Sequence, residues 1–248
     1  MYISERNRGR LVVITGPMYS KKTARLIEDL DSAVIGGKIT VSFKPDIDNR
    51  YGDKEEFERY VVSHTGAKFP TITIPIDKKG ALSILKYVKV FDDYLSKIGR
   101  RVDVIGIDEI QFFDNEIVNV CRFLVADKRE VIVSGLNLDF RGEPFGAMPF
   151  LLAYADNIIK LNAICRKCGH EATKTQRLIN GKPANYNDPT VVIGADDKYV
   201  ARCNECHVVP GKPKLVPEID YKLSNIEKMF VSRFEKIIDK QIKKPKLI

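Results

Sequence analysis

The 248-residue sequence predicts an α/β fold, a parallel sheet covered by helices. Three observations point to it. Short β-branched runs alternate with stretches of helical periodicity, as parallel strands require, because each crossover must travel back along a helix. The first such run turns at a glycine-proline pair into a lysine-rich helix start, GPMYSKKT. A later run ends in two adjacent acids, Asp108 and Glu109.

The elements follow in order. Residues 11–15 (LVVIT) are apolar and stop at Gly16-Pro17, the pattern of a buried strand. Ala24, Ile27, Leu30 and Val34 then recur at helical spacing within residues 23–34, and Gly36-Gly37 ends that helix. Residues 38–43 (KITVSF) are the next strand, residues 44–57 a polar loop, and residues 60–63 a short strand. Residues 80–98 and 115–126 carry helical periodicity, while residues 102–107 and 130–134 read as strands. Past residue 160 the character changes: cysteine pairs appear and strands shorten. From Pro210 three prolines in eight residues make a linker-like stretch. Beyond it Ser224-x-x-Glu227 is a capping-box signature. Ile226, Phe230, Phe234, Ile237 and Ile238 fall on one face of a final helix. The expected division is a core over 1–160, a metal-binding segment over 161–209 and a basic tail over 210–248.

Composition sets broad limits. Hydrophobic residues are 44% and charged residues 30%, which argues against wholesale disorder. A chain of this length buries roughly 70–75% of its unfolded surface, so its core does not depend on disulfides. No apolar run approaches the roughly 20 residues that span a bilayer, and MYISERNRGR lacks the apolar stretch of a secretory signal. The expected setting is reducing and cytoplasmic, where paired cysteines bind metal more often than they form disulfides. The net charge of +8 points to an acidic partner: nucleic acid, a membrane surface or a phosphorylated small molecule. Residues 210–248 carry ten Lys and Arg against five acids, so +5 of that charge lies on the tail and +3 on the rest. The smaller surplus suits a phosphate-handling site better than a DNA surface.

GPMYSKKT approximates the phosphate-loop pattern G-x-x-x-x-G-K-[ST]. Backbone N–H groups and a helix N-terminus would face a polyanion. Lys22 would reach the β- and γ-phosphates and Thr23 would place its hydroxyl on Mg²⁺. One position departs, because Lys21 replaces the second glycine. A lysine there costs about 1–2 kcal/mol if the backbone is left-handed. An ordinary strand-to-helix turn with a lysine pair is the competing reading. Asp108 and Glu109 strengthen the first one. Acids at the C-terminal end of a buried parallel strand sit where α/β ligand crevices open. Asp108 suits an outer ligand of Mg²⁺, and Glu109 a base that takes a proton from an attacking hydroxyl.

Cys165-x-x-Cys168 and Cys203-x-x-Cys206 are two knuckles 34 residues apart. Four thiolates make a closed tetrahedral site for structural Zn²⁺, clamping the base of a long loop. Disulfides are the alternative. Cys121 lies among Ile117, Val120 and Leu124 and reads as a core thiol. His170 and His207 each neighbour a knuckle and could substitute as ligands.

Together these segments resemble the type II thymidine kinases, the tetrameric zinc-containing class. GPMYS-x-KT is similar to that family's phosphate loop and IGIDEIQFF to its magnesium and base segment. NLDFRGEPFGAMP (137–149) is similar to its thymidine pocket, and VVIGADDKYVARCNEC (191–206) to its substrate-covering loop. SHTG at 63–66 and KP-x-x-D-x-R-Y at 44–51 also match, so the resemblance runs from about residue 9 to about 208. It implies a P-loop NTPase core of the RecA-like kind, a small zinc-binding lasso domain and a C-terminal helical tail outside the common core. It implies transfer of the ATP γ-phosphoryl group to the 5′-hydroxyl of deoxythymidine, with ATP, Mg²⁺ and structural Zn²⁺ as cofactors. It also implies a homotetramer and dTTP feedback, with no nucleic-acid or membrane partner.

Carried over by position, Glu109 is the implied catalytic base. Gly16, Pro17, Met18, Tyr19, Ser20, Lys21, Lys22, Thr23, Asp108 and Gln111 form the ATP and magnesium set. Met18, Phe112, Leu136, Phe140, Phe145 and Thr175 wall the nucleoside, Thr190, Val191, Val192, Ile193 and Gly194 read thymine edges, and Tyr199 closes over it. Cys165, Cys168, Cys203 and Cys206 hold zinc. Ala195 stands where the family has a second glycine. Gly66 stands where some relatives have an arginine, which leaves Arg50, Arg141, Arg177 or the phosphate loop to supply a transition-state cation. Two rival functions accompany this reading. One is a nucleoside- or nucleotide-binding homologue impaired by Lys21. The other is a nucleic-acid-binding zinc protein, which has no use for the IDEIQFF strand end.

Overall fold

The computed structural model describes residues 8–46, 59–63, 66–76, 80–190, 198–214, 216 and 222–242. The chain divides into two compact units, Met1–Lys212 and Pro213–Ile248.

In the first unit, six strands form one sheet in the order β5-β2-β6-β7-β1-β8, parallel at every pairing. They are β1 (Arg10–Thr15), β2 (Thr40–Pro45), β5 (Ile72–Ile74), β6 (Val104–Ile107), β7 (Glu130–Gly135) and β8 (Asn157–Lys160). One strand, β7, separates β1 from β6. Successive side chains of a strand point to opposite faces, so β1 sends Leu11 and Val13 to one core and Val12 and Ile14 to the other. The first core packs against α2 (Gly80–Ser96), α3 (Glu116–Ala126) and α4 (Met148–Tyr154) through Ile84, Val88, Ile117, Cys121, Leu124 and Leu151. The second packs against α1 (Lys22–Ile35) through Leu26, Ile27 and Leu30, with Val61 and Phe69 from the hairpin of β3 (Tyr60–Val62) and β4 (Lys68–Pro70). Gly106 lets α1 sit close to β6, because a Cβ there would lie 2.7 Å from Leu30 Cδ1.

The strands and helices read from the sequence up to residue 135 are present with shifted bounds; the strand read over 38–43 begins at Thr40. Residues 44 and 45 belong to β2 rather than to a loop: β2 continues beside β5 through Lys44↔Thr73 and Pro45↔Ile74. The rest of that segment, from 47 to 58, lies outside the described residues. The strand at 102–107 begins at Val104. Four elements lacked a sequence signal: β4, β5, α4 and the edge strand β8.

The sheet is followed by the hairpin β9 (Ala163–Ile164) and β10 (Glu171–Ala172), then a three-stranded sheet, β12 (Lys182–Pro183), β11 (Lys174–Ile179) and β13 (Lys198–Arg202), all antiparallel. In the second unit α5 (Asn225–Ile242) opens with the capping box. Glu227 N–H donates to Ser224 Oγ and Ser224 N–H to Glu227 Oε2, at 3.3 and 2.7 Å. No described helix is long and apolar enough to cross a membrane.

Candidate active site

The C-terminal edge of the parallel sheet gathers the loops after β1, β6, β7 and β8. Gly16 leaves β1 at φ 150°, and a Cβ there would lie 2.1 Å from the Leu161 carbonyl after β8. Only glycine fits that approach. Tyr19 and Lys21 both adopt φ 66°. Lys21, at φ 66° and ψ 26°, is the left-handed residue that caps α1, and its carbonyl accepts the Arg25 N–H at 3.0 Å. The loop therefore keeps the turn that a glycine would make. Ser20 Oγ and Lys22 Nζ both donate to the Pro17 carbonyl, at 2.8 and 2.9 Å. Lys22 is buried, and burial lowers its pKa against the opposing charges of Glu109 and Asp108.

The loop after β6 supplies the acids. Thr23 Oγ1 donates to Asp108 Oδ2 at 3.1 Å, linking the start of α1 to the end of β6. Burial first, and the neighbouring Glu109 charge second, push the Asp108 carboxyl up to about 6. Its Oδ1 is buried without a hydrogen-bond partner. A carboxylate in that state fits a divalent cation, which would satisfy the orphaned oxygen and favour ionisation. Glu109 is half-buried, left-handed at φ 49°, and turns the chain into a 3₁₀ helix over Ile110–Phe112. Gln111, grouped with ATP and magnesium by resemblance, is buried and donates from Nε2 to Glu109 Oε2.

The loop after β7 forms a wall. Leu136 and Phe140 are buried, and Phe112 meets Phe145 edge-on with ring centroids 5.4 Å apart. The Arg141 and Arg177 guanidinium carbons lie 5.4 and 5.5 Å from the Phe140 ring centroid. Arg141 Nη2 also donates to the Asp188 carbonyl at 2.9 Å, and Arg177 Nη1 donates to the Pro189 carbonyl. Met18 N–H donates to Thr175 Oγ1 at 3.0 Å, and Tyr19 OH to the Tyr199 carbonyl at 3.0 Å. These two bonds bring Thr175 of β11 and Tyr199 of β13 to the phosphate loop. Thr190 is half-buried beside Pro189. Val191, Val192, Ile193, Gly194, Ala195 and Arg50 lie outside the described residues.

Lys212 joins this wall without a motif to announce it. Its Nζ donates to the Arg141 carbonyl at 2.7 Å and lies 2.8 Å from Glu143 Oε1. It sits in what reads as a linker, so only the folded chain reveals it.

The four cysteines converge. Their Sγ atoms lie within 4.8 Å of one another, with Cys168 and Cys203 at 3.6 Å. Tetrahedral Zn–S bonds of about 2.3 Å set S···S separations near ~3.8 Å, so the donor set fits zinc. Cys165 and Cys168 are carried on the β9–β10 hairpin and Cys203 and Cys206 directly follow β13. His207 is committed elsewhere, donating from Nε2 to the Phe140 carbonyl at 2.9 Å, while His170 Nδ1 lies 3.4 Å from Cys168 Sγ. Cys121 is fully buried, and burial pushes its thiol up to about 12, in keeping with a core residue.

Comparison with known proteins places the chain in one family. The thymidine kinase family model matches residues 9–207. The chain is similar to a thymidine kinase of Coprothermobacter proteolyticus, 50% identical over 204 residues that cover 82% of this chain and 93% of that relative.

Proposed function

The chain belongs to the thymidine kinase family, and on that premise we propose that it transfers the γ-phosphoryl group of ATP to the 5′-hydroxyl of deoxythymidine at the site described above. The observation that carries this assignment is the convergence of Lys22, the Thr23–Asp108 pair and Glu109 at one sheet edge.

Phosphoryl transfer depends on positioning and on stabilising charge. The loop from Gly16 to Lys22 offers backbone N–H groups and a buried ammonium to the donor phosphates. Thr23 and Asp108 would hold Mg²⁺, which supplies charge neutralisation on the phosphate oxygens. Glu109 takes the proton of the acceptor hydroxyl as that oxygen attacks, and the leaving ADP departs on the Lys22 side. Leu136, Phe112, Phe140 and Phe145 offer a flat apolar surface for the base. Thr175 walls the nucleoside, Tyr199 closes over it and limits water entry, and the backbone of residues 190–194 is the proposed reader of the thymine edges. Cys165, Cys168, Cys203 and Cys206 hold structural zinc at the root of that covering segment. A homotetramer, dTTP feedback and a cytoplasmic setting belong to the same proposal.

Lys21 occupies its left-handed position with α1 properly started, so the reading of a binding protein without turnover gains no structural ground. The test of the assignment is Glu109→Gln. It should abolish dTMP formation and leave thymidine binding by calorimetry near wild type. Loss of both together would remove Glu109 from the role of specific base.

A further inference from the structure

Both ends of the Gln111 side-chain amide are bonded within the protein. Its Oε1 accepts the Leu136 N–H at 3.0 Å, which fixes which end of the amide is oxygen. The other end, Nε2, therefore faces Glu109 and donates to Oε2. Two glycines make room for it. A Cβ at Gly135 would lie 2.5 Å from Gln111 Oε1, and one at Gly146 would lie 2.4 Å from the Gln111 carbonyl. The residue is 3% exposed. The ends of β6 and β7 thus close on the side-chain amide, through Glu109, Gly135 and Leu136, while the turn before α4 packs against the backbone of the same residue.

We propose that Gln111 is a positioning residue for the phosphoryl transfer. It rests on the reading of Glu109 as base. An amide donor on one oxygen of Glu109 stops the carboxylate rotating, without competing for the proton. That leaves Oε1 to meet the acceptor hydroxyl. Glu109 needs such support because it sits on a left-handed backbone and is only half-buried. Holding a reacting group in one geometry is a large part of what an active site contributes to rate. The only charged groups identified around Glu109 among the described residues are Asp108 and Lys22, and neither donates a hydrogen bond to it.

Gln111→Glu is one variant: it keeps the shape and the acceptor for Leu136 N–H, and exchanges the neutral donor for a carboxyl that competes with Glu109 for a proton. Gln111→Met is the second, and melting curves confirm that each is folded. Both should lower kcat by about 10- to 100-fold, as loss of an outer supporting partner does, with the KM values for thymidine and ATP changed less than about threefold. In a Glu109→Gln background, measured by single-turnover transfer of labelled phosphate, adding Gln111→Glu should cost no further rate, because the partner has nothing left to position. A folded Gln111→Glu enzyme with full kcat, or a loss that adds in full to that of Glu109→Gln, overturns the inference while the base assignment stands. A Glu109→Gln enzyme with full turnover overturns the base assignment, and the inference with it.

Discussion

The Met18 N–H donates to the Thr175 hydroxyl across 3.0 Å, joining residues 157 positions apart. Thr175 lies on β11, paired with Ala201 of β13, whose end leads straight into Cys203. The phosphate loop and the cysteine cluster are therefore parts of one hydrogen-bonded framework. The donor side and the covering side of the site cannot shift independently without breaking this bond.

Thr175→Val should loosen the phosphate loop. It removes the acceptor and leaves a half-buried N–H without its partner, at a cost of about 1–2 kcal/mol. Steady-state kinetics should report a KM for ATP raised by roughly tenfold. An unchanged KM would mean that the tie does not shape the loop.

Removing the metal should reach the same loop from the other side. Metal analysis of the purified protein is expected to give one zinc per chain. Cys203→Ser, or chelation, should lower the melting temperature and abolish thymidine turnover, because β13 loses its anchor and β11 its partner. Full activity without zinc would contradict a structural role for the four thiolates.

Asp108 trades stability for function. Its carboxyl is raised from an ordinary 3.8 to about 6 by burial and by Glu109. The folded state then holds a proton that the unfolded state releases, so ligand-free stability falls as pH rises from about 4 through about 6. Asp108→Asn should remove that loss and stabilise the ligand-free protein at pH 7 by about 1–3 kcal/mol while abolishing turnover. Urea denaturation at pH 4.5 and pH 7 measures the difference. A variant less stable than wild type at pH 7 would refute the account.

Lys21→Gly should relieve the left-handed strain, offset in part by the greater freedom of glycine in the unfolded chain. The net gain is about 0.5–1 kcal/mol. Turnover should stay within a few-fold of wild type, because the loop already has the required turn. A rise beyond tenfold would mean that the lysine does hold catalysis back.

Much of this molecule is legible before folding is considered, and the reasons are local. Ala24, Ile27, Leu30 and Val34 announce α1 because one helix face must be apolar. The capping box announces α5 through two reciprocal bonds between neighbouring residues. The pairs Cys165–Cys168 and Cys203–Cys206 announce a metal because two C-x-x-C knuckles together supply the four thiolates of a closed tetrahedral site. Edge strand β8 (NIIK) escapes because three of its four residues are exposed and its pairing with β1 is long-range. Helix α4 escapes because seven residues give too few turns for a period to emerge. Lys212 escapes for a different reason, and so does the contact of Gln111 with Glu109, since the resemblance names Gln111 only among the ATP and magnesium residues. What makes them informative is the atom they meet, and their partners Arg141 and Leu136 lie 71 and 25 positions away.

Gly106 works as a spacer. Its missing side chain lets Leu30 rest directly on β6, and that contact sets how near the first turn of α1 approaches the end of the same strand. Near that contact Thr23 of α1 meets Asp108, two residues past the glycine, at 3.1 Å. A single methyl group at position 106 would press on the end of the Leu30 side chain, so that side chain or the helix that carries it must shift. Such a lesion sits in the hydrocarbon interior and touches no substrate, yet its damage would be read first as weakened magnesium affinity. The pair we propose for magnesium is thus backed from inside the core, by an atom that is not there.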